Sequence, residues 1–139
     1  MAMQLDCYLN FDGRAEEALN FYAQCLGGKV SALMRYEGSP MDTKELPAAW
    51  KQKVMHGTVE ADGAQIMASD MPPGMGSASY KGFAVSVWVK DGVDQARKVF
   101  DALAAGGQVI MPLGRTFWSP CFGMLTDRFG VSWMVIVPA

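Results

Sequence analysis

Three side chains in this chain of 139 residues stand out as candidates to move a proton or attack a bond: His56, Cys7 and Asp70. His56 is the single histidine, and imidazole is the side chain whose ordinary pKa lies near neutral pH. It opens a predicted strand, so acid–base work and a simple bond to the backbone are both open to it. Cys7 offers a thiol, but with Cys25 and Cys121 it makes an odd set spread far apart in sequence. That spacing offers neither a disulfide framework nor a CxxC motif, and buried free thiols are the plain reading. Asp70 directly precedes Met71-Pro72-Pro73-Gly74, a position where aspartate commonly bonds the backbone of the turn itself.

A second constellation is apolar. Trp50, Trp88, Trp118 and Trp133, with Tyr8, Phe11, Phe117, Phe122 and Tyr80, suit the wall of a small-molecule pocket. Trp88 and Trp133 fall on predicted strands and are expected in the core, whereas Trp50 and Trp118 fall in loops and are the better ligand or interface candidates. Eleven methionines, Met67 and Met134 among them, suit a cleft that adapts to its occupant, and equally fill ordinary core gaps. The candidate ligand-binding set is Cys7, Met67, Trp118, Phe122, Met134 and Trp50.

The elements that position these residues occur twice. Asp12-Gly13 recurs 79 residues on as Asp91-Gly92, and Phe21, Gly27-Gly28 and Val30 recur at the same offset as Phe100, Gly106-Gly107 and Val109. In the first copy Leu5, Cys7, Leu9 and Phe11 share one face of a strand over 4–11. Ala15, Ala18, Leu19, Tyr22 and Leu26 then follow helical spacing, and Gly27-Gly28 ends the helix. A strand over 29–36, a long polar excursion over 37–53 and a hairpin about Ala61-Asp62-Gly63 complete a βαβββ unit. The second copy predicts a strand over 83–90, a helix over 93–104, a strand over 108–113, a hairpin region around 117–125 and a last strand over 131–137. The fold class is therefore α+β, two βαβββ modules (4–70 and 83–137) about a hinge (71–82), in one domain spanning 1–139. A cleft between such halves is a usual place for a ligand.

The paired modules, the run Ala18-Leu19-Asn20-Phe21-Tyr22 with Leu26-Gly27-Gly28, and the closing Asp127-Arg128-Phe129-Gly130-Val131-Ser132-Trp133 resemble the vicinal oxygen chelate superfamily. This is the glyoxalase, bleomycin resistance protein and dioxygenase fold. Val54-Met55-His56, Ile66-Met67-Ala68-Ser69-Asp70 before Pro72-Pro73-Gly74, and the Gly130-to-Trp133 ending are similar to its PhnB-like subfamily. The resemblance implies a histidine at His56, beside Asp70 or Glu60. It also implies four metal-ligand positions, usually His and Glu, which fall at or near Cys7, Met67, Ala84 and Met134. A thiol, two thioethers and a methyl group do not replace hard nitrogen and oxygen donors, and shifting by one residue to Asp6, Tyr8, Phe83 or Val135 does not restore the set. No metal and no cofactor are expected. The methyltransferase label common in this subfamily finds no Gly-rich loop after a first parallel strand.

A formal net charge of −2 with 19% charged residues argues against a nucleic-acid partner. No signal peptide or membrane-length segment is legible, so a cytoplasmic protein is expected. The resemblance implies a homodimer, for which Met41, Trp50, Met71, Met75 and Tyr80 in the loops 37–53 and 71–82 offer apolar cover. Three functions remain open: a metal-free binder of a small apolar or aromatic molecule, an enzyme of lyase or dioxygenase type using His56, Cys7 or Asp70, and a structural or regulatory dimer with a self-filled cleft.

Overall fold

The computed structural model describes residues 2–74 and 79–139, and divides the chain into two compact units, residues 1–78 and 79–139. The predicted hinge falls partly, and Met75 wholly, outside the described residues. The first unit runs β1 (Cys7–Phe11), α1 (Ala15–Leu26), β2 (Lys29–Arg35), β3 (Val54–Ala61) and β4 (Ala64–Asp70). The second runs β5 (Val85–Trp88), α2 (Val93–Ala104), β6 (Gln108–Gly114), β7 (Cys121–Thr126) and β8 (Ser132–Val137). Each unit is thus βαβββ, with sheet orders β1-β4-β3-β2 and β5-β8-β7-β6. The outer pairs β1·β4 and β5·β8 are parallel, and the rest are antiparallel.

Glycines fix which face of each sheet takes the helix. A Cβ at Gly57 would lie 2.4 Å from Leu19 Cδ1 of α1, and one at Gly123 would lie 2.8 Å from Phe100 Cε2 of α2. Register carries that assignment across the sheets, because opposite residues share a face. In the first, Gly57 stands opposite Ala68 and Ala68 opposite Leu9, so Cys7, Leu9 and Phe11 pack toward α1. In the second, Gly123 stands opposite Val135 and Val135 opposite Val87. Burying Leu9, Phe11, Leu19, Tyr22 and Val59 in one unit, and Phe100, Leu103, Leu125, Trp133 and Val135 in the other, supplies each with its own core.

The Gly-Gly pairs divide their work. Gly27 caps α1 in the left-handed region at φ 67°, and Gly106 follows α2 at φ 79°. The second glycine of each pair admits a neighbouring strand: a Cβ at Gly28 or Gly107 would fall 2.2 Å from the carbonyl oxygen of Glu60 or Thr126. The predicted Asp-Gly hairpin is present, with Asp62 at φ 50° and Gly63 at φ 82°, the paired positive angles of a tight hairpin turn.

Two expectations fail. Leu5 is 91% exposed, because β1 begins only at Cys7, whose partner is Ile66. Trp88 is 54% exposed rather than core, because it alternates with Val87 and Val89 and so points away from α2. Trp133 is buried as expected.

Candidate functional site

The face of each sheet turned away from its helix carries His56 and the candidates Met67, Phe122 and Met134. On the first sheet this face holds Tyr8 and Asn10 of β1, Met67 and Ser69 of β4, His56 and Thr58 of β3, and Met34 of β2. Tyr8 stands opposite Met67, and Met67 opposite Thr58. The Tyr8 hydroxyl lies 3.0 Å from His56 Nδ1, and His56 Nε2 lies 3.3 Å from Thr58 Oγ1. Sequence reasoning set His56 beside Asp70 or Glu60 or against the backbone; its ring nitrogens instead meet two hydroxyls. Tyr36 completes the region: its buried hydroxyl donates to the Asp70 carbonyl at 2.5 Å. Burial above all, with Asp70 and Tyr8 adding, pushes its phenol above the usual range.

Asp70 has a different role from its two fellow candidates. At 1% exposure its carboxylate accepts three backbone N–H groups, Gly13 at 2.8 Å and Ala15 at 2.9 Å through Oδ1, and Val54 at 2.9 Å through Oδ2. Ala15 is the first residue of α1, so the carboxylate satisfies an orphan donor and faces the positive end of the helix. None of these acceptances is to its own turn. The recess of about 350 Å³ above it is lined by Gly13, Glu16, Arg35, Gln52, Lys53 and Val54. Its charges are paired, Arg35 with Glu16 at 2.9 Å and Lys53 Nζ with the Gly13 carbonyl at 2.9 Å. Asp70 and its recess are a structural joint.

Cys7 points to the helix side with Leu9 and Phe11, away from Met67 and His56. Burial pushes its thiol above the usual range, which leaves little thiolate at neutral pH. Trp50 closes a 3-10 turn over Ala48–Trp50, its indole edge 3.7 Å from where a Gly13 Cβ would stand.

On the second sheet the corresponding face is uncharged and largely apolar, with Gln108, Thr126 and Ser132 paired at one end. Met134 stands opposite Ser86 and Met124, Ile136 opposite Trp88 and Phe122, and Met111 opposite Met124. Trp118, 42% exposed, lays its ring 4.8 Å from that of Phe122. The candidates Trp118, Phe122 and Met134 therefore gather in the second unit, while Met67 shares a face with the histidine in the first. Tyr8 was missed as a polar candidate, although the alternation that turned Cys7 inward already turned Tyr8 outward.

The family's metal does not fit this donor set. Of the residues paired on the helix-free faces across the two parallel strand pairs, those nearest the positions the resemblance implies are Tyr8 with Met67 and Ser86 with Met134, which offer a phenol, a hydroxyl and two thioethers. Among the described residues no three His, Cys, Asp or Glu side chains come together. Likewise, no described helix is long and apolar enough to cross a membrane.

A family model, the glyoxalase/bleomycin resistance protein/dioxygenase superfamily, matches residues 4–135. The chain is 34% identical to protein YjdN of Escherichia coli K12, over 97% of this chain and 95% of that protein. Protein PA1353 of Pseudomonas aeruginosa is 42% identical, with a TM-score of 0.87 over 99% of this chain and 98% of that one. The PhnB protein of Bacillus cereus is 27% identical, with a TM-score of 0.78 over 97% of this chain and 99% of that one. With its two βαβββ units and a match spanning nearly every residue, the chain belongs to the glyoxalase/bleomycin resistance protein/dioxygenase superfamily and is PhnB-like within it.

Proposed function

We propose that this protein binds a small apolar or aromatic molecule without a metal, using the helix-free face of its second sheet. The observation that supports this is compositional and geometric at once. The residues paired across that face (Ser86, Trp88, Met111, Phe122, Met124, Met134 and Ile136) carry no charge, and two indoles, Trp88 and Trp118, remain substantially exposed beside them. Exposed aromatics over flexible thioethers suit a flat apolar ligand. The Bacillus cereus protein is described as a 3-demethylubiquinone-9 3-methyltransferase, but a largely antiparallel sheet does not supply the parallel strand, Gly-rich turn and helix that hold a nucleotide cofactor.

Titration with uncharged aromatic compounds, followed by tryptophan fluorescence, tests the reading. Binding should survive chelator and weaken by about tenfold or more in Trp88→Ala or Trp118→Ala, as loss of an aromatic contact implies. Indifference to both substitutions would sink it. Self-association belongs to the same proposal, supported by exposed Val109, Ile110 and Met111 on the edge strand β6. A sedimentation mass near 15.1 kDa at micromolar concentration would count against a dimer.

A further inference from the structure

We propose that Tyr8, His56 and Thr58 form an acid–base site for small molecules bearing an acidic hydroxyl, a phenol or an enol, on the helix-free face of the first sheet. The proposal does not rest on the apolar-ligand reading of the second sheet. Tyr8 belongs to β1 and the other two residues to β3, with β4 between these strands. The phenol reaches across that strand to bring its oxygen 3.0 Å from His56 Nδ1, while Thr58 Oγ1 holds Nε2 at 3.3 Å. Both ring nitrogens are engaged, and each hydroxyl can donate or accept, so the chain of bonds can reverse direction. Tyr8 is 43% exposed and its bond to His56 is exposed as well, so the pair is within reach of an incoming molecule.

With Nε2–H donating to Thr58, Nδ1 accepts the Tyr8 proton. A hydroxyl bound against Tyr8 gives its proton to the Tyr8 oxygen as the original Tyr8 proton passes to Nδ1. The ligand O–H and the first Tyr8 O–H break; a new Tyr8 O–H and Nδ1–H form. The products are a ligand oxyanion that accepts a hydrogen bond from Tyr8, and an imidazolium whose Nε2 still donates to Thr58. The reverse transfer returns the proton, and no other reactant enters. The other titratable groups on this face are Asp6, whose carboxylate accepts from Gln65, Lys29 and Glu60, which stand opposite each other on β2 and β3, and Tyr36. Among these, imidazole is the group whose ordinary range spans neutral pH.

4-Nitrophenol, whose ionised form absorbs in the visible, is the probe. At a pH where the free probe is mostly neutral, the protein should bind it as the phenolate, and the His56 ring proton signals should move to imidazolium positions. Tyr8→Phe, an exposed and nearly isosteric change, should keep the melting temperature but abolish the visible shift and weaken binding by about tenfold or more, as loss of a hydrogen bond to a charged oxygen implies. His56→Gln should bind the probe without the shift. The proposal is overturned by a probe bound as the neutral phenol with His56 unmoved, by no binding at millimolar concentration, or by a Tyr8→Phe protein that keeps the visible shift.

Discussion

The two units share topology, strand register and glycine placement, yet they are locked by different polar chemistry. In the first, the buried Asp70 carboxylate gathers N–H groups from two separate segments, residues 13–15 and Val54, and Tyr36 donates to the Asp70 carbonyl. In the second, the last residue of β8 is Val137, and the hydroxyl that donates to its carbonyl, at 2.7 Å, is that of Ser119. The buried carboxylate of that unit, Asp127, serves the β7–β8 turn: it accepts from the N–H groups of Phe129 and Val131 and from the Trp133 indole. A backbone plan repeats where sterics demand it, at glycines. Buried polar groups need only be satisfied, and different residues at different places achieve that.

The largest test of this contrast is Asp70→Val, which gives β4 the residue that ends β8. Three donors, two of them buried, lose their acceptor, so the change should cost about 3–5 kcal/mol, read by denaturant unfolding. A loss under about 1 kcal/mol would mean that water replaces the carboxylate. Next come Gly28→Ala and Gly107→Ala. Each forces a methyl to within 2.2 Å of a strand carbonyl, and each should cost about 2–4 kcal/mol and by similar amounts. Unequal costs would break the equivalence of the two junctions. Gly27→Ala meets nothing within 4 Å and should cost about 1 kcal/mol, from its positive φ alone.

Asp127→Asn is milder. The amide oxygen can still accept from Phe129 and Val131, but its NH2 then faces the Trp133 N–H, which should cost about 1–2 kcal/mol and alter Trp133 emission. The smallest effect concerns Cys7. Its folded thiol holds its proton above the unfolded value, so stability is full below the unfolded thiol's pKa and declines as pH rises toward the folded one. Iodoacetamide should therefore modify native Cys7 more slowly at neutral pH than an unfolded thiol; equal rates would place the side chain in solvent.

How much of this was legible follows the same division. Period-two and helical spacing located both helices and every strand but β7, which fell inside a hairpin region around 117–125 without bounds of its own, and the Gly-Gly pairs marked the helix ends, because those signals are local. Alternation also contained more than was drawn from it: once Leu9 and Phe11 face inward, Tyr8 and Asn10 must face outward, and Trp88 must oppose Val87 and Val89. The constant offset does not run the whole chain: it holds through the helices and into β2 and β6, but Tyr8 and its counterpart Ser86 stand 78 residues apart, and Met67 and Met134 stand 67 apart. The partners of Asp70 and His56 were not legible. Tyr8 lies 48 residues from His56, and Gly13 lies 57 from Asp70, and no local pattern encodes such a meeting.

Those separations bear on the order in which the chain assembles. The partners of Asp127 lie two, four and six residues away, whereas those of Asp70 lie 16, 55 and 57 away. The Asp127 turn can form as soon as its hairpin does, but the Asp70 joint must wait until nearly the whole first unit has closed on itself, with the loop entropy already lost. The second unit thus satisfies its buried carboxylate locally, and the first only through long-range closure. In stopped-flow kinetics Asp127→Asn should slow folding, while Asp70→Val should chiefly hasten unfolding.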